Sequence, residues 1–207
     1  MASPGDEKPT GAVILTGGLS RRMGQPKALL PLGKHSFLEG IVASYRSAQI
    51  TSLLAVTHGA LKNDPRFPPL DGVDFIVLEQ PTESPLQTLW HALDRIEGHL
   101  AAFFVHPVDH PFVRPATLAE MARVYAEEKP MIVQPRCGKS GGHPVLIDAS
   151  LIPEIRKASP DQGLREVVRA DPGRVRRLAV KDEGVLKGIN TPDDLADLGD
   201  PLKQGPD

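Results

Sequence analysis

The chain has almost no cysteine, no long apolar run and no excess of charge of one sign. Cys137 is the single cysteine, which excludes an internal disulfide framework and favours a reducing compartment. No apolar stretch approaches the roughly 20 residues of a membrane span, and the N-terminus lacks the apolar core of a signal peptide. The formal net charge of -2 argues against general binding to nucleic acid or to a membrane surface. We therefore expect a cytoplasmic protein that binds neither.

The order of apolar segments indicates a single α/β domain. Apolar runs typical of buried strands lie at residues 12–15, 53–57, 75–78, 102–106, 131–134, 144–147 and 177–180. Helix-like stretches lie near residues 36–48, 85–97, 115–128, 164–169 and 192–198. Continuous apolar strands that alternate with helices predict a three-layer, Rossmann-like fold, in which helices flank a mostly parallel sheet. We expect one domain over residues 11–198, with disordered tails at 1–10 and 199–207.

A glycine-rich, basic loop follows the first predicted strand. Gly17 and Gly18 open it, and three cations follow within one short segment: Arg21, Arg22 and Lys27. Small residues let the backbone approach a phosphate closely, and the cations suit a triphosphate. We expect Lys27 to stabilise the charge at the α-phosphate during transfer. The alternative is a plain turn with solvated arginines. Neither the Walker pattern nor GxGxxG is present, so a dinucleotide fingerprint is unsupported.

Two oxygen-bearing side chains are candidate metal ligands. Asp109 follows the predicted strand at 102–106, and Asn190 precedes the last predicted helix. Mg²⁺ is commonly held by one or two carboxylates together with phosphate oxygens, and an amide oxygen is a suitable further ligand. Alternatively, Asp109 caps the turn at Pro111 or the next helix. His106 and His110 resemble a zinc pair, but no spacing of His and Cys completes such a site.

Two other loops contain candidate binding residues. Ser84 and Gln87 lie before and within a predicted helix, where they could contact a nucleotide base; Ser84 also fits the N-cap of that helix. The glycine-rich connection at residues 134–147 is interpreted either as a flexible hairpin or as a mobile loop over the acceptor substrate. In the second interpretation, Lys139 and His143 bind an anion. We interpret Cys137 as a passive thiol, because no partner histidine can be assigned to it.

Four blocks in this order resemble the molybdenum-cofactor nucleotidyltransferases, the family that contains molybdopterin guanylyl- and cytidylyltransferases. They are Leu15–Lys27, Pro107–Phe112, Gly142–Ile147 and Gly188–Leu195, and the resemblance covers about residues 11–198. It implies a fold of the nucleotide-diphospho-sugar transferase type. It also implies Mg²⁺-dependent transfer of a nucleotide from CTP or GTP to a phosphate-bearing acceptor, molybdopterin, with release of pyrophosphate. A molybdoenzyme would be a possible partner protein.

The resemblance also implies roles for individual residues. The nucleotide-binding positions are Leu15, Thr16, Gly17, Gly18, Ser20, Arg21 and Lys27, with Ser84 and Gln87 added from the second loop. Lys27, Arg22 and Asp109 are the expected catalytic residues. Asp109 and Asn190 are the expected metal ligands.

The choice of base and the competing functions stay open at this point. Thr16–Gly18 and Asn190 resemble the guanylyl type. The stretches 19–25 and 142–147 look more like the cytidylyl group, towards which the sequence leans as a whole. The alternatives are a sugar-phosphate nucleotidyltransferase and a non-catalytic carrier of nucleotide or cofactor. A carrier needs no paired metal ligands, so Asp109 and Asn190 together favour the enzyme.

Overall fold

The computed structural model describes residues 8–197. Its strands are β1 (Thr10–Leu15), β2 (Pro31–Leu32), β3 (His35–Ser36), β4 (Ser52–His58), β5 (Val73–Leu78), β6 (Ala102–Pro107), β7 (Ile132–Cys137), β8 (Ser140–Gly141), β9 (Val145–Asp148) and β10 (Val175–Ala179). Its α-helices are α1 (Phe37–Ser47), α2 (Gly59–Lys62), α3 (Pro85–Ile96), α4 (Pro115–Glu128), α5 (Ile152–Ile155), α6 (Arg165–Ala170) and α7 (Pro192–Ala196).

Most of these strands form one sheet in the order β10-β7-β9-β6-β1-β4-β5, with β8 paired to β7. Strand β1 lies between β4 and β6 and is parallel to both. Strand β9 runs antiparallel to β6 on one side and to β7 on the other. The predicted α/β fold, with a mostly parallel sheet flanked by helices, is confirmed. The antiparallel β9 follows from the hairpin-like connection at residues 134–147.

Apolar side chains cover both faces of the sheet. Successive residues of a strand point to opposite faces. Ile14 of β1 therefore packs in one hydrophobic cluster with residues of α1 and α4, whereas Val13 packs in a second cluster with residues of α3 and α5. Burial on both faces explains why β1 and its neighbours are continuous apolar runs rather than alternating ones.

Capping boxes set the start of three helices. Ser36 caps α1, Ser84 caps α3 and Thr191 caps α7, and in each helix the third residue returns a side-chain hydrogen bond to the backbone of the cap. Helix α1 therefore begins at Phe37, one residue after the predicted start. The predicted N-cap role of Ser84 is confirmed.

Short elements differ from the sequence prediction. Helices α2 and α5 have four residues each, and β2 and β3 have two each, too short to produce a readable periodicity. The predicted tails lie mainly outside the described residues, and β1 already begins at Thr10. Within residues 8–197, no helix combines the length and the apolar character needed to cross a bilayer.

Candidate active site

Loops at the carboxyl ends of β1, β5 and β6 enclose two adjoining cavities. The larger one, of about 740 Å³, is lined by Arg21, Arg22 and Asn190 among others, and we call it the Arg22 cavity. The smaller one, of about 140 Å³, is lined by Leu15 and Thr16 among others, and we call it the Leu15 cavity. This is the edge of an α/β sheet at which ligands bind.

The cavities contain most of the predicted nucleotide-binding side chains. Leu15, Thr16 and Ser84 line the Leu15 cavity, Arg21 and Arg22 line the Arg22 cavity, and four predicted site residues line both: Gly18, Ser20, Lys27 and Asp109. The structure thus brings together loops that are far apart in the sequence.

The loop between β1 and Lys27 is held by its own backbone and by the sheet. Ser20 and Gly24 both adopt left-handed conformations, with φ of 50° and 73°. The Ser20 hydroxyl accepts a hydrogen bond from the Lys27 backbone N–H at 3.2 Å. Met23 is 4% exposed and belongs to the core. These contacts fix the course of the loop and turn Lys27 towards the end of β6.

The Lys27 ammonium group contacts both predicted metal ligands, Asp109 and Asn190. Its Nζ donates to Asn190 Oδ1 at 2.8 Å and lies 3.3 Å from Asp109 Oδ2. Arg22 Nη2 also donates to Asn190 Oδ1, at 3.3 Å. The side chains of Lys27 and Asp109 are only 11% and 21% exposed, so solvent screens their interaction weakly.

The Asp109 carboxylate is stabilised in its charged form. Burial alone would raise its pKa, but the hydrogen bonds and charges of His110 and Lys27 outweigh burial and lower the pKa to about 2. Its Oδ1 lies 3.0 Å from His110 Nδ1, and its Oδ2 faces Lys27. The group is therefore anionic at neutral pH.

The donor set fits a hard divalent cation. One ionised carboxylate and one amide oxygen converge on a cavity that also contains basic side chains for a phosphate, which is the pattern of Mg²⁺ sites completed by substrate oxygens. A zinc pair of His106 and His110 fits poorly. Both ring nitrogens of His106 already lie 2.9 Å from other partners, the Tyr45 hydroxyl and the His110 carbonyl.

Asn190 is positioned by its chain neighbours. The backbone N–H of Ile189 donates to the Asp109 carbonyl at 2.8 Å, which ties the two segments together. The backbone N–H groups of Asn190 and Thr191 donate to Asp194 Oδ2 at 2.7 and 2.9 Å. The cap of α7 therefore presents the Asn190 amide to Lys27.

Four predicted site residues line neither cavity: Gly17, Gln87, Lys139 and His143. Gln87 lines neither of them, and its Oε1 instead accepts from the backbone N–H groups of Glu83 and Ser84, at 3.0 Å each. Lys139 is exposed in the turn between β7 and β8. The cap of α3 and the hairpin turn account for the placements of Gln87 and Lys139.

His143 lies against His110, the residue that follows Asp109 in the chain. Its ring packs on that of His110 with 4.6 Å between centroids, and burial lowers its pKa to about 4. The buried Nδ1 of His143 has no hydrogen-bond partner within residues 8–197. Of the two predicted acceptor-binding residues, only His143 therefore lies beside the predicted metal ligands.

The sequence interpretation of the loop before α3 did not single out Thr82, which lines both cavities. Its backbone N–H donates to the Gly17 carbonyl at 2.9 Å, and Gly18 and Thr82 form a parallel β-bridge. A Cβ at Gly17 would lie 2.9 Å from the Thr88 methyl group, so the glycine allows this close approach. A pairing between segments about 65 positions apart leaves no local signal in the sequence.

The chain is similar in sequence to known nucleotidyltransferases. The family model of the MobA-like NTP transferase domain matches residues 12–177. The molybdenum cofactor guanylyltransferase of Haemophilus influenzae is 28% identical over 190 residues, which cover 89% of this chain and 94% of that protein. A probable molybdenum cofactor guanylyltransferase of Geobacillus sp. is 24% identical over 199 residues, with 90% and 96% covered.

Solved structures show the same architecture. The crystal structure of Rv0371c from Mycobacterium tuberculosis H37Rv superposes with a TM-score of 0.81 at 30% identity and covers 92% of this chain and 97% of that one. A structure of that mycobacterial protein in complex with manganese gives a TM-score of 0.77 at 27% identity, with 93% and 98% covered.

Proposed function

Because the chain belongs to the MobA-like NTP transferase family, and is therefore a nucleotidyltransferase, we propose that it transfers GMP from GTP to a molybdopterin-type acceptor with Mg²⁺. The observation that carries the proposal is the convergence of Lys27, Asp109 and Asn190 at a cavity lined by Arg21 and Arg22. This arrangement supplies positive charge for a triphosphate and oxygen ligands for a divalent cation.

The chemistry requires positioning and charge rather than a protein nucleophile. An oxygen of the acceptor's terminal phosphate attacks the α-phosphorus, and the bond between the α-phosphorus and the bridging oxygen breaks. Pyrophosphate leaves with the electron pair of that bond. A phosphate monoester is already anionic at neutral pH, so no general base is needed. Bound Mg²⁺ would neutralise phosphate charge and align the reacting groups.

Each proposed residue has one task in this reaction. Lys27 stabilises the charge that develops at the α-phosphate, and Arg21 and Arg22 bind the outgoing phosphates. Asp109 and Asn190 would hold the metal. Leu15, Thr16 and Gly18, with Ser20 and Ser84, form the surface that receives the nucleoside. Gln87 supports that surface through the cap of α3.

The choice of GTP rests on similarity. The curated relatives described above are named guanylyltransferases. Thr16–Gly18 and Asn190 agree with that type, whereas residues 19–25 and 142–147 look more like the cytidylyl group. CTP is therefore the competing substrate. A divalent metal is supported by the manganese bound to the mycobacterial relative.

The acceptor side is proposed to include His143. Its buried Nδ1 lies without a hydrogen-bond partner in the described part of the chain, and its ring contacts that of His110 beside Asp109. A phosphate or pterin group that entered there would supply the missing partner. Lys139 would contact the acceptor only from the exposed turn.

A nucleotide panel tests the proposal. Pyrophosphate release is measured with Mg²⁺, molybdopterin and GTP, CTP, ATP or UTP in turn. We expect release with GTP above all others, and faster release with CTP would assign the cytidylyl activity instead. Mg²⁺-dependent nucleotide binding without release would reject molybdopterin and direct the test to sugar 1-phosphates. No nucleotide binding at all would favour the non-catalytic carrier.

A further inference from the structure

The segment that carries Asp109 is joined to the core by a chain of buried hydrogen bonds. The hydroxyl of Tyr45, on α1, lies 2.9 Å from His106 Nδ1, and His106 Nε2 lies 2.9 Å from the carbonyl oxygen of His110. Tyr45 is 0% and His106 1% exposed. Neither side chain lines the Leu15 cavity or the Arg22 cavity.

The direction of these hydrogen bonds is fixed. A backbone carbonyl can only accept, so His106 carries its proton on Nε2 and donates to His110. Burial lowers the pKa of His106 to about 3, so the ring is neutral at pH 7 and its Nδ1 accepts from the Tyr45 hydroxyl. The Tyr45 hydroxyl keeps its proton, because burial raises its pKa well above the usual value.

The His110 ring is held on two further sides. The His143 ring packs against it in a tilted arrangement, with ring centroids 4.6 Å apart and an angle of 59° between the ring planes. Gly188 lies at its edge, where an added Cβ would stand 3.0 Å from Cε1 and 3.2 Å from Nε2 of His110. Thus His106 fixes the backbone of His110, while His143 and Gly188 confine its ring. The remaining ring nitrogen, Nδ1, contacts Asp109 Oδ1 at 3.0 Å.

We propose that Tyr45 and His106 are positioning residues that hold His110, and through it the Asp109 carboxylate, with Oδ2 turned towards Lys27 and the metal. Oδ1 lies against His110 Nδ1, and Oδ2 faces Lys27 and the Arg22 cavity, so Oδ2 is the oxygen that this arrangement would offer to a metal. Partners of metal ligands set the orientation of the ligand, and their loss typically weakens metal affinity about 10- to 100-fold. This inference rests on the proposed role of Asp109 as a metal ligand.

The first test removes one hydroxyl. Tyr45→Phe deletes the donor to His106, and Tyr125→Phe is the matched control, because the Tyr125 hydroxyl also makes partly buried hydrogen bonds, to Ala101 O at 3.1 Å and Asp148 Oδ2 at 2.6 Å. Binding of Mn²⁺ to the full chain is followed by electron paramagnetic resonance, together with kcat and the KM for GTP at saturating metal.

Tyr45→Phe is expected to weaken Mn²⁺ binding about tenfold and to lower kcat, with the KM for GTP unchanged within about twofold. Tyr125→Phe is expected to match the wild type in all three. Unchanged Mn²⁺ binding in Tyr45→Phe, or equal weakening in both variants, would overturn the inference.

A rescue pair at His106 separates positioning from packing. His106→Leu removes the donor to His110, whereas Gln at this position retains an N–H group that can reach the same carbonyl. We expect His106→Gln to recover most of the Mn²⁺ affinity lost in His106→Leu. Equal loss in both would overturn the inference. If His106→Leu does not fold, Tyr45→Phe and His106→Gln decide between the same two outcomes.

Asp109→Asn distinguishes failure of this inference from failure of the proposed function. Loss of Mn²⁺ binding in Asp109→Asn, with unchanged binding in Tyr45→Phe, would reject the positioning role alone. Unchanged Mn²⁺ binding in Asp109→Asn would reject Asp109 as the metal ligand, and the inference with it.

Discussion

Two glycine-rich segments of the chain contain a lysine, and only Lys27, in the first of them, lines the cavities of the candidate site. Lys27 lies at the end of the loop after β1. Its side chain is 11% exposed and contacts Asp109 and Asn190. Lys139 lies in the turn between β7 and β8 and is exposed. The two segments look alike as sequence, since each combines glycine with basic residues.

The difference lies in the strand that each segment follows. The loop after β1 leaves a strand at the middle of the parallel part of the sheet, between β4 and β6. The β7–β8 turn follows a strand that runs in the same direction as β6 and ends at the same edge, but antiparallel β9 lies between β7 and β6 and displaces the turn sideways. Strand order therefore places Lys27 beside the proposed metal ligands and Lys139 farther across the sheet. The experiments on Lys27 and on the acceptor can break this contrast, and those on His106 and Asn190 sharpen the account of the site around Lys27.

The largest expected effect is on Lys27. Lys27→Ala removes the only lysine that contacts both proposed metal ligands within residues 8–197, and we expect kcat to fall about 10³-fold or more, as for other losses of electrostatic stabilisation at a reacting centre. Steady-state pyrophosphate release measures it, and circular dichroism checks the fold. Lys139→Ala is the matched control, and equal loss in both variants would erase the contrast.

Burial of His106 predicts acid sensitivity of the folded state. Its pKa is about 3, so the unfolded ring binds a proton below about pH 6.5 while the folded ring does not. The contribution of this ring to the free energy of unfolding is complete above pH 6.5 and is lost as the pH falls towards 3. At pH 5 the free energy of unfolding is lower by about 2 kcal/mol, which is about 30-fold in the unfolding equilibrium.

Urea unfolding at pH 7 and pH 5 measures this effect. His106→Gln should show a smaller loss of unfolding free energy at pH 5 than the wild type. The exposed His91 on α3 provides the control, and His91→Gln should keep the full acid sensitivity. An identical pH dependence in wild type and His106→Gln would contradict the role of burial.

Loss of Asn190 is expected to have a smaller effect. Asn190→Ala removes one of two proposed metal oxygens, and we expect about a tenfold higher Mg²⁺ concentration at half-maximal activity, in the range found when metal-site residues are lost. Asn63→Ala is the control, since Asn63 is exposed beyond α2. A Mg²⁺ requirement unchanged by Asn190→Ala would remove Asn190 from the metal site.

The smallest expected effects concern the acceptor. His143→Ala should raise the KM for molybdopterin several-fold with the KM for GTP unchanged, because the ring lies beside Asp109 rather than in the nucleotide cavities. Lys139→Ala should change either KM by less than about twofold. A larger effect of Lys139→Ala than of His143→Ala would show that the turn approaches the substrate.

Much of the fold could be predicted from local sequence. Helix α4 has its predicted bounds, Pro115–Glu128, because proline at the first position and apolar spacing both mark it. The strand ends were predictable for a similar reason, since β1 and β6 are apolar runs followed by polar loops. Their parallel pairing then brought Lys27 and Asp109 together, as expected for neighbouring strands.

The remaining features depend on contacts between distant segments. Tyr45 and His106 are 61 positions apart, and nothing around Tyr45 in the sequence indicates a link to the site. The pattern of histidines around Asp109 was visible in the sequence, but only the structure shows that His106 contacts both the Tyr45 hydroxyl and the His110 carbonyl. Gln87 is the reverse case. The sequence predicted that its side chain could contact a nucleotide base, but in the structure that side chain accepts a hydrogen bond in the cap of α3.

The most direct measurement follows the phosphorus atoms of GTP. GTP labelled at either the α- or the γ-phosphorus is incubated with the wild-type chain, Mg²⁺ and molybdopterin, and the products are separated. Nucleotidyl transfer predicts that the α-label appears in a molybdopterin-linked product and the γ-label in pyrophosphate, in equal amounts. Release of the γ-label as inorganic phosphate, with no α-label on the acceptor, would contradict the account.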